Sequence, residues 1–247
     1  MPPLAALGIT LVRPEIDTDR FGTFTAETPR LGTMADAARA KAKAAIATTG
    51  LPVGIGSEGA YRPHPGLPFL PLGREVILWH GRGTGREIIE QAMDDRPAYD
   101  HAAIVNLADA EALLAGVAFA ATELIVAPAA DALPVAKGLR DRDALAATIG
   151  QAAANSANGR AVQQTDMRVH LNPLRMEVIA GLAARLAQRL STPCPHCHAP
   201  GWGLLRREPG LPCCDCGAPT ALASLDSRAA ADRKEHPRPR HRHPQKP

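Results

Sequence analysis

The sequence has few aromatic residues and no long apolar run, and both absences limit what the protein can be. Only 3% of its 247 residues are aromatic while 45% are hydrophobic, so Ala, Leu, Val and Ile must build the core. Few rings are then available on which single-stranded nucleic acid could stack. The longest apolar stretch, residues 102–128, is interrupted by Asp109, Glu111 and Glu123. It lacks the continuous apolar length of a membrane-spanning helix, and no membrane association is expected.

Cysteine is absent from most of the chain, and so is a strong excess of either charge. The five cysteines lie close together near the C-terminus, and their odd number favours a metal site over a disulfide framework. A formal net charge of +3 and a pI near 8.7 give no general signature of nucleic-acid binding. The N-terminus shows no basic segment followed by a small-residue cleavage site, so we expect a cytoplasmic protein.

The length and the local composition divide the chain into three regions. Residues 1–190 can form one α/β domain, for which we predict a mixed central sheet flanked by helices. Residues 191–223 contain the cysteines and are predicted to form a small zinc ribbon. Residues 224–247 are basic and proline-rich without apolar anchors, which predicts a disordered tail that either attracts nucleic acid weakly or only solubilises the protein. A homodimer is compatible with this organisation.

Residues 32–65 predict a helix, a turn and a strand that is followed by an acidic residue. Thr33 and Asp36 form a capping-box pattern at the start of an alanine-rich helix, and Gly50 ends it. Residues 51–55 are too short and too apolar for another such helix, and Val53 and Ile55 favour a buried parallel strand. Glu58 would then lie at the C-terminal end of this strand, where open α/β sheets bind their ligands.

Four other residues outside the cysteine region are candidates for a site. Asp17 and Asp19 flank a threonine, so in a strand both carboxylates would point to one side and could bind Mg²⁺; alternatively, Asp17 caps a solvated turn. His64 lies between two prolines, which suits a fixed catalytic imidazole and equally a rigid surface loop. Lys137 precedes a helix predicted over residues 139–154, where it could meet an anion or remain solvated.

A cluster of charge precedes the most regular helix of the sequence. Asn172 and Pro173 are typical of a helix start, and apolar residues then recur at helical spacing. Asp166 and Arg168 lie between a predicted strand and this helix. Charge at such a connection is costly to bury unless it is paired or occupied by a ligand. Asp166 is therefore either a site residue or the partner of a structural salt bridge to Arg168 or Arg175.

The last motif has the spacing of a zinc site. Cys194 and Cys197 form one C-x-x-C pair, Cys213 and Cys216 form a second, and residues 198–212 separate the two. Each pair lies in a turn rich in proline, glycine or histidine, which can aim two sulfurs at one tetrahedral ion. A four-thiolate site is closed, so its zinc would be structural. A disulfide or redox pair is the alternative, and one cysteine is left over.

Five blocks of sequence follow one another up to residue 220: DTDRFGTFTAETPR (17–30), SEGAYRPHP (57–65), TDMRVHLNPLRM (165–176), CPHCHAPGW (194–202) and GLPCCDCGAPT (210–220). In content and order they resemble an uncharacterised bacterial family, a domain of unknown function. Members of that family usually begin with an additional strand and a Thr-x-His-Gly-Lys-Glu-like loop. The resemblance implies an α/β domain and no established activity. Because this additional segment is absent here, either the start of the chain is misassigned or the domain lacks its first strand and part of the site.

A shorter pattern comprises Thr33, Lys41, the Thr-Gly-Leu-Pro turn at residues 49–52 and the Ser-Glu-Gly segment at residues 57–59. It resembles the inosine triphosphate pyrophosphatase and Maf superfamily. The resemblance implies a central mixed sheet with a cleft for a nucleoside triphosphate. It also implies that Lys41 contacts phosphate and that Glu58 binds the metal or orients the attacking water.

Two functions are consistent with these features. The first is a magnesium-dependent nucleoside triphosphate pyrophosphatase-like hydrolase that carries a structural zinc ribbon. The second is a non-enzymatic zinc-ribbon protein that binds nucleic acid or a protein partner. For the hydrolase we predict catalytic roles for Glu58, Asp166 and His64, phosphate contacts from Lys41, Arg168 and Lys137, and magnesium ligands in Asp17, Asp19 and Glu58.

Overall fold

The computed structural model describes residues 2–23, 28–30, 32–64, 66–94, 97–129, 132–229 and 235–239, and they form a mixed α/β protein. No helix within these ranges combines the length and the apolar character needed to cross a bilayer. The helices are α1 (Pro2–Ala5), α2 (Met34–Thr49), α3 (Leu107–Gly116), α4 (Arg142–Ala154) and α5 (Pro173–Leu190). The strands are β1 (Val53–His64), β2 (Leu67–Gly81), β3 (Glu87–Asp94), β4 (His101–Ile104), β5 (Leu124–Ala127), β6 (Ala136–Leu139), β7 (Ala161–Thr165), β8 (Gly203–Pro209), β9 (Ala223–Ala229) and β10 (Glu235–Pro239).

The strands form three separate sheets, and neighbouring strands run antiparallel in each. The first sheet is the meander β1-β2-β3, the second has the order β4-β7-β5-β6 and the third has the order β10-β9-β8. The predicted α/β class is therefore confirmed, but the single mixed sheet is replaced by antiparallel ones. Where a parallel strand is predicted over residues 51–55, the structure has the start of a long antiparallel hairpin, which begins at Val53 and pairs Val53 with Gly81.

The first sheet is packed between two helices. Because side chains alternate along a strand, Val76 and Leu78 of β2 contact α2 on one face, and Ile77 contacts α5 on the other. On the α2 face, β1 presents Gly54 and Gly56, which lie directly against the backbone of the helix. The next residue of β1 on this face is Glu58, and the close helix holds Lys41 beside it.

The helices begin where their capping residues predict. Thr33 and Asp36 form a complete capping box on α2, and Gly50 ends the helix in a left-handed conformation. Asn172 caps α5 through the amide of Arg175. The helix predicted over residues 139–154 starts later, at Arg142. Asp141 is its N-cap, because the carboxylate of Asp141 accepts hydrogen bonds from the first amides of α4.

The second sheet has its own apolar core. Its strands are covered on one face by α3 and α4, and Leu124, Leu145 and Ile149 are fully buried there.

The side chain of Arg189 joins the first sheet to the C-terminal region. Arg189 of α5 donates hydrogen bonds to the carbonyl of Ile89 in β3 and to the carbonyl of Gly201, both at 3.1 Å.

The segment that the sequence assigned to a disordered tail includes two strands. Residues 224–229 belong to β9, which pairs with β8, and residues 235–239 form β10. In this part of the tail the prediction differs from the structure, because backbone pairing does not require the apolar anchors that the segment lacks. Residues 230–234 and 240–247 lie outside the described residues.

Candidate functional site

Three carboxylates are buried near one another, and each is paired with a cationic side chain. Glu58 is 7% exposed, and Glu75 and Asp166 are fully buried. An unpaired charge at such burial would be strongly disfavoured, so each cationic partner offsets the cost of burying its carboxylate. These three groups and their partners define the candidate site.

Glu58 is held between two cations. Its Oε2 accepts a hydrogen bond from Nζ of Lys41 and its Oε1 accepts one from Nη2 of Arg30, both at 2.7 Å. Both donors also reach the outer edge of β1, where Arg30 binds the carbonyl of Gly59 at 2.7 Å and Lys41 the carbonyl of Ser57 at 3.5 Å. The side chain of Arg30 is 33% exposed and that of Lys41 is 21% exposed, so solvent reaches both cations.

Glu75 lies on the opposite face of the same hairpin and is bound by Arg175 and Tyr61. Nε of Arg175 donates to Oε1 of Glu75 at 2.5 Å, and the hydroxyl of Tyr61 donates to the same oxygen. The guanidinium of Arg175 also lies over the Tyr61 ring, 5.5 Å from its centroid, and donates to the carbonyl of Met167. Burial raises the pKa of Tyr61, and the charge of Glu75 raises it further, so the phenol stays protonated.

Asp166 is bound by the residue two positions further on. Its Oδ2 accepts a hydrogen bond from Nη2 of Arg168 at 2.6 Å, and its Oδ1 accepts one from the Arg168 amide at 3.0 Å. The hydrogen bond that Arg168 donates to Asp166 raises the pKa of Arg168, and the charges of Asp166, Glu123 and Asp19 raise it further. The structural salt bridge is therefore present. It leaves the Arg168 side chain 43% exposed, so this guanidinium is also open to solvent.

Gly59 connects the three carboxylates. A Cβ at this position would lie 2.3 Å from Nη2 of Arg175 and 2.6 Å from Oε1 of Glu75, while its carbonyl binds Arg30. Since Arg175 also binds the carbonyl of Met167, the contacts continue from Lys41 and Glu58 to the Asp166–Arg168 connection. Among the predicted site residues the structure thus pairs Lys41 with Glu58 and Arg168 with Asp166, and contacts through Gly59, Arg175 and Met167 link the two pairs.

The other candidates lie elsewhere or in another conformation. His64 is at the far end of β1, about 20 Å along the strand from Glu58, and its Nδ1 accepts hydrogen bonds from the amides of Gly66 and Leu67. It stabilises the hairpin turn. Asp17 accepts a hydrogen bond from the Asp19 amide at 3.0 Å, so the pair forms a turn and not a strand. Lys137 lies in β6 and does not directly precede α4.

Sequence reasoning missed Glu75 and gave Tyr61 no role. It left Arg30 as either half of a surface ion pair or a site residue. Glu75 has the same alternation as Ile77, which faces α5, and this signal could have placed its carboxylate inside. Its partner Arg175 is 100 residues away in the chain, and no local pattern predicts such a contact.

The two C-x-x-C pairs form turns of the same construction. In each, the first cysteine donates its amide to the alanine five residues later at 2.8 Å, and an antiparallel bridge joins the flanking prolines, Pro193 with Pro200 and Pro212 with Pro219. The residue after the second cysteine has a positive φ in both turns, 55° for His198 and 72° for Gly217. We call these turns the first and second knuckle, comprising residues 193–200 and 212–219.

The thiols of the knuckles do not lie in one group. All five cysteines are thiols, and the group of metal-binding side chains that the described residues bring within 4.8 Å is Cys213, Cys214 and Asp215. Hydrogen bonds from the amides of Cys216 and Asp215 lower the pKa of Cys213, which favours the thiolate that metals bind. In the first knuckle, Cys194 is buried with Trp202. The predicted C-terminal cysteine cluster is therefore present.

The fold and the site define a mixed α/β protein with a network of buried ion pairs and a C-terminal cysteine cluster. The chain belongs to a family described as Domain of unknown function (DUF6671), whose model matches residues 41–235. The predicted membership of an uncharacterised family is thereby confirmed. No curated protein and no solved structure matches the chain. These comparisons give no link to the inosine triphosphate pyrophosphatase and Maf superfamily.

Proposed function

We propose that the protein is a magnesium-dependent hydrolase that cleaves nucleoside triphosphates to a nucleoside monophosphate and pyrophosphate. The observation that supports this proposal is the position of Glu58, a nearly buried carboxylate held at 2.7 Å by both Lys41 and Arg30. Cleavage of a phosphoanhydride requires cations that neutralise the phosphate oxygens and a carboxylate that holds a metal ion or a water molecule. The Glu58 cluster supplies both kinds of group.

In the absence of substrate each carboxylate of the site has a cationic partner, and three cations with two carboxylates leave one positive charge in excess. Glu58 is neutralised by Arg30 and Lys41, and Asp166 by Arg168. A triphosphate that enters this site offers its oxygens to the partly exposed cations Arg30, Lys41 and Arg168, and it thereby frees Glu58. Carboxylate oxygens are suitable ligands for Mg²⁺, which would offset the charge on the transferred phosphoryl group. On binding, Arg30 and Lys41 would pass from Glu58 to the phosphate oxygens, and Mg²⁺ would take their place beside Glu58. The carboxylate would therefore keep a counterion.

The residues of the site then have separate roles in the reaction. Glu58 holds the metal or orients the water that attacks phosphorus, while the bond to the pyrophosphate oxygen breaks and the water proton passes to solvent. Lys41 and Arg30 bind phosphate oxygens. Asp166 is a positioning residue, because it is fully buried and fixes Arg168, which faces solvent. His64 has no role in this proposal, since it lies at the other end of β1.

The experiment is pyrophosphate release from a panel of nucleoside triphosphates with Mg²⁺. We expect Glu58→Gln to lower the rate at least about a hundredfold, because the substitution removes the charge and keeps the shape. The matched control is Glu87→Gln, which changes another buried carboxylate that is also paired with an arginine. Equal rates in wild type and Glu58→Gln, or equal losses in the two variants, would contradict the proposal. Salt-sensitive binding of RNA or DNA without hydrolysis would favour the non-enzymatic alternative instead.

We also propose that Cys194, Cys197, Cys213 and Cys216 bind one structural zinc ion. The repeated construction of the two knuckles supports this, since zinc is commonly held by four thiolates from two such turns. Zinc would join the knuckles and stabilise the small C-terminal module. The test is the zinc content of the purified protein by mass spectrometry. We expect Cys194→Ser and Cys213→Ser to lose zinc and Cys214→Ser to keep it, whereas loss in Cys214→Ser would indicate the Cys213, Cys214 and Asp215 group.

A further inference from the structure

The only two tyrosines of the sequence lie next to each other and next to a histidine. The ring centroids of Tyr61 and Tyr99 are 6.3 Å apart, and those of Tyr99 and His101 are 6.0 Å apart, with tilts of 33° and 40°. Only 3% of the residues of this chain are aromatic, and this group places two of them side by side with a histidine. We call this group the aromatic row.

The aromatic row joins the first sheet to the start of β4 in the second sheet. Tyr61 belongs to β1 and lies over Gly73 of β2, where a Cβ would be 2.7 Å from its Cε1 atom, so the hairpin leaves room for the ring. Tyr99 precedes β4, and His101 is the first residue of that strand. Tyr99 is half-buried and His101 is exposed, so the row leads from the interior between the sheets to the surface.

The aromatic row adjoins the proposed phosphate-binding residues. The guanidinium of Arg175 lies 5.5 Å from the Tyr61 centroid, and the same side chain packs against Gly59, whose carbonyl binds Arg30. The contacts therefore run from the aromatic row through Arg175 and Gly59 to Arg30 at the outer edge of β1, so aromatic rings are followed by a cation along this edge. A nucleotide has the matching combination of a flat aromatic base at one end and phosphate groups at the other.

We propose that the aromatic row binds the base of the nucleoside triphosphate, which stacks on Tyr99 and His101 while its phosphates reach Arg30, Lys41 and Arg168. The inference rests on the proposed function for the identity of the substrate. Stacking on an aromatic face tolerates every base, because each base has a π surface. The row therefore raises affinity for nucleotides over inorganic polyphosphates without selecting strongly among bases.

The experiment compares binding of ATP with binding of inorganic tripolyphosphate, measured by calorimetry on the full chain with Mg²⁺. Wild type should bind ATP more tightly, and Tyr99→Ala should weaken ATP binding about tenfold while tripolyphosphate binding is unchanged. Tyr99→Phe keeps the ring and should bind ATP like wild type. This variant also shows whether the position tolerates substitution, since its thermal unfolding can be compared with that of Tyr99→Ala.

The possible results separate this inference from the proposed function. If wild type binds both ligands equally, or if Tyr99→Ala weakens both equally, the aromatic row does not bind the base. The same conclusion holds if neither ligand binds, and the proposed function then fails as well. If ATP binds more tightly and Tyr99→Ala removes the difference, but no pyrophosphate is released, the base site stands and the hydrolase proposal is overturned.

Discussion

Gly56 in β1 lies directly against Ala38 in α2, and a Cβ at residue 56 would be 2.0 Å from the Ala38 carbonyl oxygen. Gly54 has the same relationship with Ala42, at 2.1 Å. The helix therefore rests on the backbone of the strand with no side chain between them. This approach places Lys41 within hydrogen-bond distance of Glu58, so two glycines determine the geometry of the candidate site.

Gly56→Ala should lower the free energy of unfolding by about 3 kcal/mol, because the added methyl would overlap a main-chain oxygen that cannot rotate away. Urea denaturation measures the change. The control is Gly83→Ala in the β2–β3 turn, where a Cβ would have no atom within 4 Å. We expect the control to change stability by less than about 0.5 kcal/mol. Similar losses in both variants would show that α2 can move away from β1 at little cost.

The parts of this fold that depend on local chemistry could be predicted from the sequence. Thr33 with Asp36, and Asn172 with Pro173, determine the first turns of α2 and α5, and both helices begin there. Capping involves only neighbouring residues, so no tertiary information is needed. The proximity of Lys41 and Glu58 was also predicted, from a motif at short sequence spacing.

The pairing of strands could not be predicted in the same way. Residues 51–55 are apolar and short, a pattern shared by parallel strands and by strands of a buried hairpin. Only the pairing of Glu58 with Val76 shows that the strand continues far beyond Ile55 and that Glu58 lies in its middle. The knuckles show the same limit, because the C-x-x-C spacing predicted the two turns but not the grouping of Cys213 with Cys214 and Asp215.

Gln163 is a residue whose replacement should stabilise the protein. It is fully buried in β7, and neither atom of its amide has a hydrogen-bond partner among the described residues. Gln163→Met keeps the length of the side chain and removes the unsatisfied amide, so the free energy of unfolding should rise by about 1–2 kcal/mol. The control is Gln164→Met, on the other face of β7. A loss of stability in Gln163→Met would indicate an internal water molecule bound to the amide.

Glu87 should make the stability of the protein depend on pH. Burial alone would raise its pKa, but hydrogen bonds from Arg39 and then His80 outweigh burial and lower the pKa below its ordinary value of 4.5. The ionised group therefore stabilises the fold above that pH, and the contribution disappears as the pH falls through the folded-state pKa.

Wild type should therefore be more stable than Glu87→Gln at neutral pH, by about 1–3 kcal/mol, and the difference should shrink between about pH 5 and about pH 3. Denaturant unfolding at a series of pH values measures it. Glu111→Gln is the control, because its partner Arg142 and Glu111 itself are both about half exposed, and such pairs contribute little. A constant difference across the series would mean that the charge of Glu87 does not stabilise the fold.

His198 and Gly217 occupy equivalent positions in the two knuckles, with φ of 55° and 72°. A residue with a Cβ is strained in this conformation, whereas glycine is not. His198→Gly should therefore stabilise the first knuckle by about 0.5 kcal/mol after the greater entropy of the unfolded chain is counted. Gly217→Ala should destabilise the second knuckle by about 1 kcal/mol, and for conformational reasons alone, since a Cβ there meets no atom within 4 Å.

Hydrogen exchange of residues 192–222, followed by mass spectrometry, measures local opening in each knuckle. Slower exchange in the first knuckle of His198→Gly and faster exchange in the second knuckle of Gly217→Ala are the expected results. Opposite signs would show that the imidazole of His198 makes a contact worth more than the strain of its backbone.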